Sequence, residues 1–460
     1  MSQCQIGVFG LGVMGSSLAE NFLRHGFTVA LYSREQSERE RFAKRDVSGY
    51  EMTGDLSSFV AHLQKPRRII MMITAGPAVD AVMQSLKPLL EEGDILVDGG
   101  NSYYEDTNRR TEEYAAAGLH FVGMGVSGGE EGALHGPSLM VGGSDEAYEV
   151  LEPYLTAIAA KAGDTVCCGH VGTRGAGHYV KMVHNGIEYG VMELIAEVWQ
   201  MMHQGLGIAQ EDIAEFFDSM SGTRLDSYLA EIAAKVLRYL DEDELPLIEK
   251  IRPVAMQKGT GKWTSLESID RGVYLPTIIE SASIRAFSQH REEYKGYGKG
   301  KTRPAFQDPS YDSMRNALYL GTLICYAQGL SLIRKASQDL GFDIPMAQTV
   351  SLWKGGCIIR SRMLQDIEAA YLNEPETENL LFAAPFRGLK NERADMGRLA
   401  RVAIEAHIPV PAFASAVTYY DACMAPELPL AMVQALRDCF GAHTEERKDR
   451  EGAFHTLWEK

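Results

Sequence analysis

Four polar side chains in the stretch VKMVHNGIEYGVMELIAEVW, residues 180–199, have the types and spacing to do chemistry together. Lys181, His184, Asn185 and Glu188 fall at i, i+3, i+4 and i+7, so a helix presents all four on one face. Most other positions are apolar, among them Met182, Val183, Ile187, Val191, Met192, Leu194, Ile195 and Val198. A helix apolar around most of its circumference is buried. An amine, an imidazole, an amide and a carboxylate therefore share a stripe inside the protein, where unpaired charge is costly. Lys181 and Glu188 stand about 10 Å apart along the axis, at roughly 1.5 Å per residue. That span suits a small extended molecule with a different reacting atom at each end. The competing reading is a self-satisfied polar seam between packed helices, since structural networks also perturb ionisable groups.

Such a stripe needs a scaffold, and 460 residues suggest two or three domains. The composition, 45% hydrophobic and 23% charged, is that of a globular chain. A formal charge of −17 disfavours nucleic acid and anionic membranes as partners. An anionic substrate then needs a local basic pocket. The start, MSQCQIGVFGLG, has no basic leader or cleavage site, and no apolar run is expected to span a membrane. The seven cysteines are scattered without a CxxC pair, which argues against a disulfide framework or a zinc site and for a reducing, cytoplasmic compartment.

The N-terminal third has the pattern of a dinucleotide fold. A strand at 6–9 runs into Gly10-Leu11-Gly12-Val13-Met14-Gly15, followed by a helical run to residue 25. In GxGxxG the first glycine permits the turn, the second admits a pyrophosphate to the backbone, and the third allows close helix–strand packing. The helix N-terminus faces the phosphates. The second strand, 28–33, ends at Ser33-Arg34-Glu35 where an NAD enzyme usually carries an acid. The Ser33 hydroxyl and the Arg34 guanidinium suit a 2′-phosphate, so NADP is the expected coenzyme, with Glu35 an opposing charge. Further strands at 68–73, 95–98 and 120–123 alternate with helices, the signature of a doubly wound, mainly parallel sheet. Two of them run into glycine-bearing loops, 98–102 and 125–132. There Asn101 is placed to contact coenzyme or substrate, and the amides of Ser127, Gly128 and Gly129 to hold a carboxylate.

From residue 177 the pattern becomes helical, with runs at 210–220, 227–239, 276–288, 311–340, 352–371 and 393–406. The expected architecture is an α/β Rossmann domain (1–178), an all-α domain (179–435) and a tail (436–460). Within the helical part QKGTGKWT, 257–264, reads as an anion nest with added lysine charge, without P-loop spacing. The Gly/Lys-rich segment 296–301 reads as a solvated loop. The charged tail ends in aromatics, Phe454 and Trp458, that argue for docking onto another subunit.

VKMVHNGIEYG, GVSGGEEGA, GGNS, KGTGKWT, GGCIIRS and RDxFGAHT, in this order across the whole chain, resemble the 6-phosphogluconate dehydrogenases. The resemblance implies metal-independent, NADP-linked oxidative decarboxylation of 6-phospho-D-gluconate to D-ribulose 5-phosphate in a homodimer whose tails cross between subunits. It implies Lys181 as the base at the C3 hydroxyl and Glu188 as the acid at C1, with His184 and Asn185 orienting the substrate. It places the sugar acid on Asn101, Ser127, Gly128 and Gly129, and its phosphate on Tyr189, Lys258, Thr260 and Arg285. Arg437 and His443 would arrive from the neighbouring subunit. The chain departs from the family pattern at Gly12, often Ala, and at Ser33-Arg34-Glu35, usually Asn-Arg-Thr or Asn-Arg-Ser. Two rivals fit the same motifs in part: a β-hydroxyacid dehydrogenase for a smaller substrate, which needs neither 258–264 nor the tail, and a non-catalytic NADP sensor, which needs no acid–base pair.

Overall fold

A sheet of eight strands ordered β10-β7-β6-β5-β4-β1-β2-β3 carries the N-terminal part of the computed structural model, which describes residues 3–257, 259–294 and 310–458. Lys258 and the segment 296–301 lie outside the described residues. The strands are β1 (Ile6–Phe9), β2 (Val29–Tyr32), β3 (Tyr50–Thr53), β4 (Arg68–Met71), β5 (Ile95–Asp98), β6 (His120–Ser127) and β7 (Ser138–Val141), followed by a small hairpin of β8 (Lys161–Ala162) and β9 (Thr165–Val166), then β10 (Cys168–His170). The first six are parallel in the order 3-2-1-4-5-6, that of a doubly wound dinucleotide-binding sheet. The runs of β1, β2, β4 and β5 are buried and largely apolar because both faces are covered by helices, whereas the edge strand β3 is partly exposed.

The segment from residue 125 does not begin a loop. Met124–Ser127 pairs antiparallel with β7, Met124 opposite Val141 and Ser127 opposite Ser138, so inter-strand hydrogen bonds override the glycine content. Gly125 serves close packing: a Cβ there would lie 2.5 Å from the Lys181 Cβ. Gly125→Ala should therefore cost about 1–3 kcal/mol of stability through overpacking and lower turnover by displacing Lys181. Thermal unfolding and initial rates measured on the same preparation check both effects. The residue-352–371 helix is also broken. Met346–Leu352 and Met363–Asn373 are separate helices, because Gly356 takes a left-handed φ of +57° between them.

The helical part is built round Ala176–Gln200, which packs against Tyr311–Leu340, Thr260–Asp270 and Pro276–Ser288. Glu197, unremarked in the sequence, is 2% exposed and accepts the backbone N–H groups of Ala412 and Phe413, at 2.6 and 2.9 Å. It thereby caps the N-terminus of the helix Pro411–Met424. Tyr311–Leu340, with 30 residues, does meet the length and composition of a membrane-crossing helix, contrary to the sequence expectation, and 89% of its apolar window is buried inside the protein. It is the core on which the neighbouring helices pack. The tail is ordered through its described length. Strands β11 (Glu445–Glu446) and β12 (Ala453–Phe454) pair antiparallel, and buried Asp438 gathers the Thr444 and Thr456 amides, the His455 ring and the Trp458 indole N–H.

Candidate active site

The glycine loop forms one wall of a cleft of about 860 Å³ whose lining includes Gly10, Gly12, Val13, Met14 and Gly15. Gly10 has φ +98°, and a Cβ on Gly15 would lie 2.0 Å from the Gly10 carbonyl oxygen, so the turn and the helix contact both require glycine. A Cβ on Gly12 would meet nothing within 4 Å: the backbone is open to the cleft there. Leu11 is buried beneath the loop, its carbonyl held by the Ser16 hydroxyl at 2.9 Å. This cradle fits a pyrophosphate at a helix N-terminus. Ser33 is buried, and its hydroxyl donates to Glu38 at 2.7 Å, whereas Arg34 is exposed.

The opposite wall brings in Asn101, Val126 and Trp263. Asn101 is set by the end of β5: Asp98 accepts from the Gly100 amide at 2.9 Å and the Ser102 hydroxyl at 2.6 Å. Trp263 belongs to the segment expected as an anion-binding loop. Only its start is a turn; Gly259, at φ +103°, opens the helix Thr260–Asp270. The tertiary reason is Glu267 on that helix, which accepts from Tyr103 and Tyr104 at 3.2 and 2.9 Å and pairs with Arg271 at 2.8 Å, locking the helix to the loop beside Asn101.

Lys181 and His184 are buried on the central helix, and Asn185 and Glu188 are partly so. Lys181 Nζ lies 3.3 Å from His184 Nδ1, which is 3.0 Å from Asn185 Oδ1. On the far side of the ring, Nε2 stands 3.1 Å from Ser127 Oγ and 2.9 Å from Cys357 Sγ. Asn185 Nδ2 donates to Thr260 Oγ1 at 3.3 Å, tying the stripe to the next helix N-terminus. Burial lowers the Lys181 pKa, against the opposing pull of the Glu188 charge. Burial raises the Glu188 carboxyl, opposed by Lys181 and Arg285. Burial, reinforced by Lys181, also lowers the His184 pKa well below its ordinary value, so the ring is neutral. The amine and the carboxyl thus feel each other's charge while both are pushed toward their neutral forms. Next along, the Arg285 guanidinium stacks 3.6 Å from the Tyr189 ring centroid.

The model of the NAD binding domain of 6-phosphogluconate dehydrogenase matches residues 5–172, and that of the 6-phosphogluconate dehydrogenase C-terminal domain matches residues 177–458. The chain is 45% identical to the NADP(+)-dependent, decarboxylating 6-phosphogluconate dehydrogenase of Bacillus subtilis, over 100% of both sequences. This chain belongs to the 6-phosphogluconate dehydrogenase family. A Staphylococcus aureus 6-phosphogluconate dehydrogenase, decarboxylating, is 46% identical, with 99% of each sequence covered. The solved Plasmodium falciparum 6-phosphogluconate dehydrogenase, described in apo form and with NADP+ or 6-phosphogluconate, superposes with a TM-score of 0.95 at 36% identity, covering 99% of this chain and 100% of that one.

Against the pattern implied by this family, the structure brings Lys181, His184, Asn185 and Glu188 together with Ser127 and Thr260. Tyr189 touches the same helix, since a Cβ on Gly261 would lie 2.5 Å from its ring. Gly128 packs on the Gly356 carbonyl, its virtual Cβ 2.7 Å away, and Gly129 opens the helix Gly129–His135. Arg437 instead donates to Gln434 within its own helix, and His443 stands exposed beside Phe440. Cys357, within the GGCIIRS motif, joins the site although nothing in the sequence around it points to a role. A buried thiol pushed up to about 12 by desolvation, at the His184 ring, has no local signal beyond that motif.

Proposed function

We propose that this chain catalyses the NADP-dependent oxidative decarboxylation of 6-phospho-D-gluconate to D-ribulose 5-phosphate and CO₂. The observation that carries the reading is a lysine and a glutamate on one buried helix face, each shifted by burial toward the form that moves protons, packed through Gly125 and Ser127 against the strand whose Val126 lines the dinucleotide cleft. In the proposed order, neutral Lys181 takes the proton of the C3 hydroxyl. NADP, when bound, supplies the hydride acceptor. The β-keto acid then loses CO₂, and protonated Lys181 returns a proton to the enolate oxygen, so no metal is needed to steady that charge. Glu188 delivers the proton to C1 of the enediol. His184, neutral, and Asn185 hold the substrate hydroxyls; Asn101, Ser127 and the Gly128 and Gly129 amides face its carboxylate end.

Leu11, Val13 and Met14 join the three glycines of the loop in holding the coenzyme, with Ser33 and Arg34 at its ribose. Tyr189, Thr260, Arg285 and Lys258 take the substrate phosphate. The Thr260–Asp270 N-terminus favours an anion there, and the stacking of Arg285 on Tyr189 preorganises its fork. Arg285→Ala should raise the 6-phosphogluconate KM about tenfold to hundredfold, the loss of a charge-assisted hydrogen bond worth about 1.5–3 kcal/mol, with kcat nearly unchanged. Steady-state rates against substrate concentration decide it.

The working units remain 1–178 for coenzyme, 179–435 for substrate and subunit pairing, and 436–460 for the partner's site. Leu430, Met432, Val433, Leu436 and Phe440 are each at least half exposed on the helix Leu430–Gly441, which supports a homodimer that covers this face and receives Arg437 and His443. Seven free cysteines support a reducing, cytoplasmic setting. The test is NADPH formation with 6-phosphogluconate beside unphosphorylated gluconate, with CO₂ measured. Comparable rates on both acids, or NADPH without CO₂, would return the reading to a smaller-substrate dehydrogenase.

A further inference from the structure

The ribose end of the coenzyme cleft carries a carboxylate that the glycine motif and Arg34 leave unexplained. Glu38, on the helix Gln36–Phe42, lines the cleft with Gly10, Gly12 and Val13. Its Oε2 accepts from the Ser33 hydroxyl at 2.7 Å, and Ser33 is 4% exposed, so the carboxylate is held from a buried anchor. Its other oxygen faces Arg41 at 3.9 Å, beyond hydrogen-bond distance and on an arginine side chain 62% exposed. Arg39 is occupied by the carbonyls of Ser33 and Arg34. Glu35, the acid adjacent to Arg34 in sequence, is an exposed residue at the N-cap of the same helix.

In dinucleotide folds with GxGxxG, an acid about 20 residues beyond the glycines accepts the ribose hydroxyls of NAD, whereas an arginine accommodates the 2′-phosphate of NADP. This chain has both. We propose that Glu38 is a specificity-determining residue that opens the coenzyme site to NAD alongside NADP. Glu38 Oε1 accepts from the 2′-hydroxyl of an unphosphorylated ribose. The same charge opposes a 2′-phosphate, whose attraction falls to Arg34, exposed and with its guanidinium in no hydrogen bond or ion pair among the described residues. Ser33, at the ribose end of the cleft, also holds the carboxylate in place. The inference rests on the dehydrogenase reading above for the reaction, and on the cleft geometry alone for the coenzyme.

The experiment titrates NAD+ and NADP+ into the full-length protein by calorimetry, without substrate, for the wild type, Glu38→Gln and Glu38→Lys. It then measures kcat/KM with 6-phosphogluconate and each coenzyme. The wild type should bind the two coenzymes within about tenfold of each other. Glu38→Gln should shift the Kd ratio toward NADP by at least fivefold, by tightening NADP and weakening NAD, and Glu38→Lys by at least fiftyfold. Rate ratios should follow through KM. A ratio that moves less than twofold in both variants, or a wild type that prefers NADP more than a thousandfold, overturns the proposal. Because binding is read separately, a shifted Kd ratio in a protein that fails to oxidise 6-phosphogluconate supports Glu38 while sinking the substrate assignment.

Discussion

Lys181→Ala should lower kcat by at least about a thousandfold while NADP binding stays within about twofold. General-base transfer contributes roughly 10²–10⁴, and the same nitrogen also steadies the enolate. The effect falls on chemistry because Lys181 lies on the central helix at His184, away from the glycine cradle that holds the coenzyme. Lys181→Arg separates base from charge: a guanidinium stays protonated throughout the working range and should be as inactive as alanine. The pH profile of the wild type has a definite sign. Lys181 works as the free amine, so kcat/KM falls as pH drops through its pKa, and burial places that acid limb below the ordinary lysine value. Activity within tenfold of wild type in the alanine variant would remove Lys181 from the base role.

The parts of this site that repeat at short range were legible in the sequence. GxGxxG between a strand and a helix led to a backbone cradle, and the spacing from Lys181 to Glu188 led to one buried stripe. What escaped was long-range. Gly125 and Val126 read as loop residues because glycine weakens an isolated strand, but β7, distant in sequence, supplies their hydrogen bonds. Residues 260–264 read as part of an anion-binding loop because the helical apolar stripe of Thr260–Asp270 is weak; Glu267 holds that helix through Tyr103 and Tyr104, more than 160 positions away. Cys357 reaches the His184 ring from a turn 173 residues on, which no window along the chain can reveal. Glu38 is not evident from the sequence because the acid of such folds is expected at the strand end, while this chain brings one to the cleft a helical turn later.

Glu188→Gln should reduce steady-state kcat by about 10²–10³ and leave the 6-phosphogluconate KM within about threefold. Glutamine matches the volume and keeps a polar contact but has no proton to give to C1. Because that step follows hydride transfer and loss of CO₂, the first turnover should persist: rapid mixing should show NADPH appearing in a burst, then a slow phase limited by protonation and release of the ketose. The pH dependence separates this role from mere packing. Glu188 donates only while protonated, and its raised pKa, from burial opposed by Lys181 and Arg285, sets the alkaline limb of kcat; the glutamine variant should lack that limb. Its acid limb should also move, because the Glu188 charge, with a smaller contribution from Cys357, holds the Lys181 pKa up against burial. Removing that charge lets the Lys181 pKa fall further, so kcat/KM should persist to lower pH than in the wild type. A burst-free variant with an unmoved acid limb would mean that the two groups are not coupled in one cavity, and the proton relay between them would have to be abandoned.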